Sequence, residues 1–294
     1  MLISMRVQLQ AQNRGVYPLG MSATNSGVTP GAGFTYVNQL LFYSRDHAKD
    51  DAGNTSTVTG ENYVLMDMNT LAWVSKKKFL DGAVFSVAAT LPFAKNDLTS
   101  DIEGEISGGG GFADSYYLPF ILGWNRDRFS IRATYGFLAP TGRFEESASN
   151  NVGSGYWTHT LSSGQTSYLK SGKRLALSAF QLYEFHTTQE GTGIHPGDTF
   201  DLDYSIMGSL PVPGDVPIQI GVVGYEQRQT TAKTGPSVSL AASEERYAIN
   251  SLGFAVTSAF PKRGASLGLK YFKEFLNRSS FQGYSLQVSG SISF

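Results

Sequence analysis

The sequence specifies an all-β chain, a transmembrane antiparallel up-and-down β-barrel of about twelve strands. Three observations carry that reading. The ending "GYSLQVSGSISF", Gly283–Phe294, splits into an apolar row (Tyr284, Leu286, Val288, Ile292, Phe294) and a polar row (Ser285, Gln287, Ser289, Ser291, Ser293). Successive side chains of a strand point to opposite faces, so this is a strand with two unlike faces. Short links alternate with long ones along the chain, as the turns and external loops of outer-membrane barrels do. No stretch approaches the roughly 18–20 apolar residues of a spanning helix, whereas most alternating runs reach the roughly 9–11 residues of a tilted spanning strand.

Taken in order, residues 1–33 carry no strand pattern and form an N-terminal segment; residues 34–294 form the barrel. Strands are expected near 34–45, 61–75, 83–94, 113–125, 128–139, 154–168, 174–188, 198–210, 217–231, 246–260, 265–276 and 281–294. "RFSIRATYGFL" sets Phe129, Ile131, Ala133, Tyr135 and Phe137 against Ser130, Arg132, Thr134 and Gly136. "DTFDLDYSIMGSL" sets Phe200, Leu202, Tyr204, Ile206 and Leu210 against Thr199, Asp201, Asp203 and Ser205. The short links are "SKKKFLDG", "NRDR", "KSGKR", "PVPGDV" and "PKRG". The long ones centre on "DDAGN", "SDIEGEISGGGG", "EESASNN", "EGTGIHPG" and "GPSVSLAASEE". "NRSS", short where a long link is due, breaks the pattern once. An even strand count puts both chain ends on the periplasmic side.

The small residues of the polar rows (Ser86, Ala88, Thr90, Ser130, Thr134, Ser285, Ser289) cannot fill a dry core at native density. The bulk lies on the other row, including Tyr116, Leu118, Phe120, Leu122 and Trp124, so the apolar row faces lipid. Phe129, Phe137, Phe200, Phe260, Tyr284 and Phe294 sit near strand ends, where interfacial girdles lie. The terminal Phe294 resembles the signature read by the barrel-assembly machinery. The start "MLISMRVQLQAQNRG" has too short an apolar run for a signal peptide. The expected location is the bacterial outer membrane, with the export signal absent from this chain.

Composition narrows the chemistry. The 294 residues hold 23 basic and 24 acidic residues and no cysteine. Near-neutral charge gives no footprint for nucleic acid, and thiol or disulfide chemistry is excluded. No cofactor or metal is expected. "DDAGN" lacks the distal Glu of a calcium loop. "SGGGGF" at Ser107–Phe112 lacks the Lys-Ser/Thr of a phosphate loop, and reads as a flexible hinge in the second external loop. His47, His159, His186 and His195 lie in no nucleophile context, and no outward Ser–His pair suits a lipid hydrolase. The chain is not expected to be an enzyme.

Four stretches resemble the outer-membrane channel family associated with the MetA pathway of phenol degradation. They are "GVYPLG" (Gly15–Gly20), "LPFILGW" (Leu118–Trp124), "APTGRF" (Ala139–Phe144) and "DTFDLDYSIMG" (Asp198–Gly208). "TPGAGF" departs from the run of prolines expected before the first strand. The resemblance implies a barrel of about this size, with a proposed role in uptake of hydrophobic or aromatic compounds.

Lumen-lining candidates follow from the inward rows: Arg132, Glu184, His186, Asp201, Asp203 and Lys270. They set ion preference as a ring of charge, or form a hydrogen-bonded ladder that braces the wall. Val7–Gly33, with Tyr17, Pro18 and Leu19, is a candidate plug or a periplasmic tail. Pro92 and Pro119 fall inside strands, where proline marks a bulge; a sideways exit into lipid is the other reading. The expected function is passive diffusion of small, hydrophobic or aromatic molecules. Alternatives are a narrow general pore for ions or polar solutes, and a barrel that displays its loops. Expected partners are outer-membrane lipids, the substrate and the assembly machinery, with a monomer as the default.

Overall fold

The computed structural model describes residues 15–169, 171–210 and 216–294. Residues 7–14 of the plug candidate, Lys170 of "KSGKR" and most of the "PVPGDV" link lie outside them. The first strands are β1 (Gly33–Lys49), β2 (Asn62–Phe79), β3 (Ala83–Ser100), β4 (Gly104–Phe112), β5 (Ser115–Asn125) and β6 (Phe129–Ala139). They continue as β7 (Thr158–Tyr168), β8 (Leu175–His186), β9 (Thr199–Leu210) and β10 (Ile218–Gln229). The last three are β11 (Ala248–Phe260), β12 (Ala265–Glu274) and β13 (Ser280–Ser293). All neighbours are antiparallel. β1 pairs with β13, from Thr35↔Ser293 to Lys49↔Ser280, and with the β2–β3 pairing this closes the sheet into a barrel.

Thirteen strands occupy twelve places in the ring. β4 pairs with the distal part of β3 (Phe93↔Phe112 to Ser100↔Gly104), and β5 with its proximal part (Val84↔Gly123 to Thr90↔Tyr116). The glycine run expected to be a loop hinge is therefore strand β4. Its composition is poor for a strand, and its tertiary setting overrides that weakness. β3 binds one edge, and the long link 140–157 approaches the other, where Gly108 N–H donates to Ser149 O at 2.9 Å.

Side-chain exposure separates the two faces. On β13 Leu286 and Val288 are 39% and 44% exposed, whereas Ser285 and Gln287 between them are buried. The outward surface is the apolar one, the arrangement that suits hydrocarbon outside a barrel. Two features correct the expectation. Tyr116 and Leu118 point inward, not outward. The Tyr116 hydroxyl meets Thr160 Oγ1 at 2.7 Å, and Leu118 packs beside the inward Gly136. The register shifts on both sides of this point, between Ser86 and Ala88 on β3 and between Tyr117 and Phe120 on β5. Such an extra residue reverses the phase of alternation. The inward rows are also not uniformly small. Phe180, Leu182, Met207, Tyr225, Ile249 and Phe272 of β8–β12 are buried in one cluster inside the barrel. They stay dry because Tyr17, Leu19 and Ala23 pack against them there.

Candidate functional site

Residues 15–32 run through the barrel interior, and the sequence "YPLG" decides how. Met21 N–H donates to Pro18 O at 3.2 Å, closing a turn whose third residue, Gly20, has φ 81°. Glycine takes that conformation without a Cβ penalty, and a Cβ here would lie 2.6 Å from Phe272 Cζ. The turn sorts its polar groups between opposite charges on the wall. Its donors face Asp203: Gly20 N–H at 2.9 Å and Ser22 N–H at 3.0 Å. Its acceptors face Lys270, whose Nζ donates to Gly20 O at 2.8 Å and Met21 O at 2.6 Å. Leu19 O accepts from Gln287 Nε2 at 2.7 Å and from the Tyr43 hydroxyl at 3.3 Å.

Just before the turn, Glu184 takes two backbone donors, Val16 N–H at 2.9 Å and Tyr17 N–H at 2.6 Å. The Tyr17 hydroxyl donates to Asp203 Oδ2 at 2.6 Å. Burial, then the Asp203 charge, push that hydroxyl well above the usual tyrosine range, so it stays a donor. Gly15 N–H donates to the Tyr247 hydroxyl at 2.6 Å. Hydrogen bonds to charged partners contribute about 1.5–3 kcal/mol each, and burying Leu19 adds about 1.5–3 kcal/mol.

Beyond the turn the chain crosses to the opposite wall. Gly27 N–H donates to Thr166 Oγ1 at 3.1 Å, and Asn125 Nδ2 donates to Thr29 O at 2.8 Å. Gly164 on β7 lets the segment lie flat there, since an added Cβ would collide with the Ser26 carbonyl.

The candidates are brought together unevenly. Glu184, Asp201 and Asp203 are each 0% exposed, and His186 and Lys270 are buried. His186 Nε2 lies 3.3 Å from Glu184 Oε2, and its Nδ1 is 2.8 Å from Thr158 Oγ1. Asp201 accepts from Gln227 Nε2 at 2.7 Å, while its Oδ2 has no partner among the described residues. Arg132 extends inward between Gly123 and Gly164, apart from the carboxylates and in no ion pair among the described residues. Tyr17 and Leu19 are buried and Pro18 half-buried. Pro119 lies within the double register shift. Pro92 is different: its register with β2 runs unbroken through Met68↔Pro92. It sits where β3 exchanges β5 for β4, and its carbonyl accepts Ala113 N–H at 3.0 Å. Asp114 beside this junction binds Gly142 N–H, Ser154 N–H and Ser154 Oγ at 2.6–2.9 Å.

Sequence reasoning missed several interior groups. Arg45 and Glu274 form a buried ion pair at 2.8 Å, and the Tyr225 hydroxyl donates to Glu274 at 2.9 Å. The signal was present: Arg45 falls in phase with the inward Leu41 and Tyr43, and Glu274 with Lys270 and Phe272. Above the turn lies a cavity of about 1610 Å³. Residues 15–18 and Met21 line one side of it, with Met66, Met68, Tyr116, Leu182 and Glu184 from the wall. Residues of the long links, among them Phe144, Ser149, Lys233 and Arg246, line the other. Ser130, Thr166, Ser178 and Ser289, inward residues nearer the short turns, are not part of its lining.

Comparison with known proteins agrees with this architecture. The family model described as "Putative MetA-pathway of phenol degradation" matches residues 45–289. The crystal structure of an outer membrane channel from Pseudomonas putida F1 superposes with a TM-score of 0.71 at 15% identity, covering 92% of this chain and 98% of that one. The β domain of the Bordetella autotransporter BrkA gives a TM-score of 0.61 at 11% identity, covering 90% and 100%. No curated protein matches by sequence.

Proposed function

The chain belongs to the MetA-pathway of phenol degradation family, and from that premise we propose that it is a passive channel for small hydrophobic or aromatic molecules. The long links face the exterior, and the short turns, the start of β1 and the end of β13 face the periplasm. The observation that carries the reading is the cavity of about 1610 Å³ with the segment around Tyr17–Met21 as its floor. It is large enough for a drug-sized or smaller molecule, and its mixed wall sets Met66, Met68 and Leu182 beside Glu184 and Tyr116. A molecule enters between the long links, partitions onto the apolar part of the wall and waits above the segment. Passage follows when residues 15–32 shift from their wall contacts.

On this reading the main task of Glu184, Asp203 and Lys270 is not ion selection, although Glu184 also accepts from Thr199 Oγ1 of the neighbouring β9 at 2.6 Å. They hold the segment, and selectivity resides in the cavity above. A general pore for small polar solutes is the competing account, favoured by charged groups such as Arg45, Asp114 and Arg246 around the cavity. Uptake into proteoliposomes decides between them. Faster entry of a phenol-sized aromatic than of a monosaccharide, relative to protein-free vesicles, is expected; equal or faster entry of the sugar rejects the hydrophobic-cargo reading.

A further inference from the structure

The charges of the chain are unevenly divided between its two ends. The described short turns and the strand ends beside them hold nine basic side chains, in "SKKK", "RDR", "GKR" and "PKR", against two acidic ones, Asp81 and Asp127. All nine basic residues are exposed. At the opposite end, the links 50–61 and 101–103 carry Asp50, Asp51, Glu61, Asp101 and Glu103 and no basic residue. The basic turns join β2–β3, β5–β6, β7–β8 and β11–β12, so they stand around the ring and not on one flank.

Apolar groups share the same rim. Phe79, Leu80, Phe129 and Leu169 are exposed beside the basic residues, and Trp73 and Trp124 lie on the outward face one step up the strands. Trp124 Nε1 donates to Leu80 O at 3.0 Å, and Lys173 Nζ lies 4.6 Å from the Tyr168 ring centroid. Indole and phenyl groups settle at the boundary between hydrocarbon and headgroups. Lysine and arginine stems extend from that boundary to place their charges among the phosphates.

We propose that the short-turn rim is an annular binding surface for anionic phospholipid headgroups. A folded protein partner covers a patch, whereas lipid surrounds a barrel on every side, and this charge surrounds it too. The collar thereby fixes the height of the barrel in the membrane. That this rim meets the periplasmic leaflet rests on the orientation proposed above, whereas its lipid preference is measured in either orientation.

The test uses the full-length chain carrying Trp157→Phe, which removes the tryptophan at the opposite end, in bilayers containing brominated lipids, with quenching of Trp73 and Trp124 fluorescence as the readout. Phosphatidylglycerol is expected to associate about threefold or more strongly than phosphatidylcholine, and the preference should fade at high salt because the charges are exposed. Exchanging Lys76, Lys77, Lys78, Arg126 and Arg128 for Gln should bring the ratio close to one. Exchanging Lys95 in the distal part of β3 and Arg143 and Arg246 on the long links for Gln should leave it unchanged. Equal quenching by both lipids in the unaltered protein overturns the proposal and favours an acidic protein partner. A preference that survives the first set of exchanges, or disappears with the second, also overturns it.

Discussion

The Tyr17 hydroxyl donates to Asp203 Oδ2 at 2.6 Å, joining the N-terminal segment to the inner wall of β9 across 186 residues of sequence. With the donors of Val16, Tyr17, Gly20 and Ser22, it makes five hydrogen bonds from the segment to Glu184 and Asp203. The double variant Glu184→Gln/Asp203→Asn keeps shape and removes both charges. Loss of even about 1.4 kcal/mol raises the displaced population tenfold. Single-channel recordings should show open events at least about ten times more frequent; unchanged traces would mean that these two carboxylate charges do not hold the segment.

Gly164 tests the same contact without touching a charge. Gly164→Val should push residues 26–27 off the β7 wall and raise conductance. Gly290→Ala should be silent, because its new Cβ meets nothing closer than Leu267 Cδ2 at 3.5 Å. Identical conductance in both variants would rule out a tight seat at β7.

How much of this was legible in the sequence depends on what each residue's neighbours do. Leu286, Ser285 and their row declared themselves through alternation, because a strand's period is local. Tyr116 and Leu118 did not, since the phase reverses at a bulge whose position depends on how β5 meets both β3 and β6. Glycines 108–111 have no β preference of their own and gain their place from β3 and the following link. The packing partners of Phe180 and Phe272, Tyr17 and Leu19, lie far away in sequence, so no local pattern pairs them. The turn at "YPLG" was visible as a motif, but its sorting of donors to Asp203 and acceptors to Lys270 is purely tertiary.

The outward rows yield a stability prediction. Val288 lies mid-row between Tyr284 and Ile292, facing out, and Ser289 faces in. Val288→Arg should destabilise the barrel by about 2–4 kcal/mol in lipid vesicles. Ser289→Arg should change conductance with little effect on unfolding by urea. Equal destabilisation by the two would contradict the assigned faces.

One outward cluster is unexpectedly polar. Asn38 Nδ2 donates to Asp67 Oδ1 at 2.6 Å, and the Tyr36 hydroxyl donates to Asn69 Oδ1 at 2.6 Å. Asp67 and Asn69 stand mid-row on β2, between Tyr63 and Trp73. Facing hydrocarbon, such groups are costly. The triple variant Asn38→Leu/Asp67→Leu/Asn69→Leu should therefore stabilise the barrel by about 1–2 kcal/mol in vesicles. Destabilisation instead would reveal that the cluster is covered by protein.

The account stands on residues 15–32 occupying the path through the barrel. Removing residues 7–30 and recording the full-length and shortened chains side by side in planar bilayers measures that directly. A several-fold larger single-channel conductance in the shortened chain is the predicted result; equal conductances would contradict it.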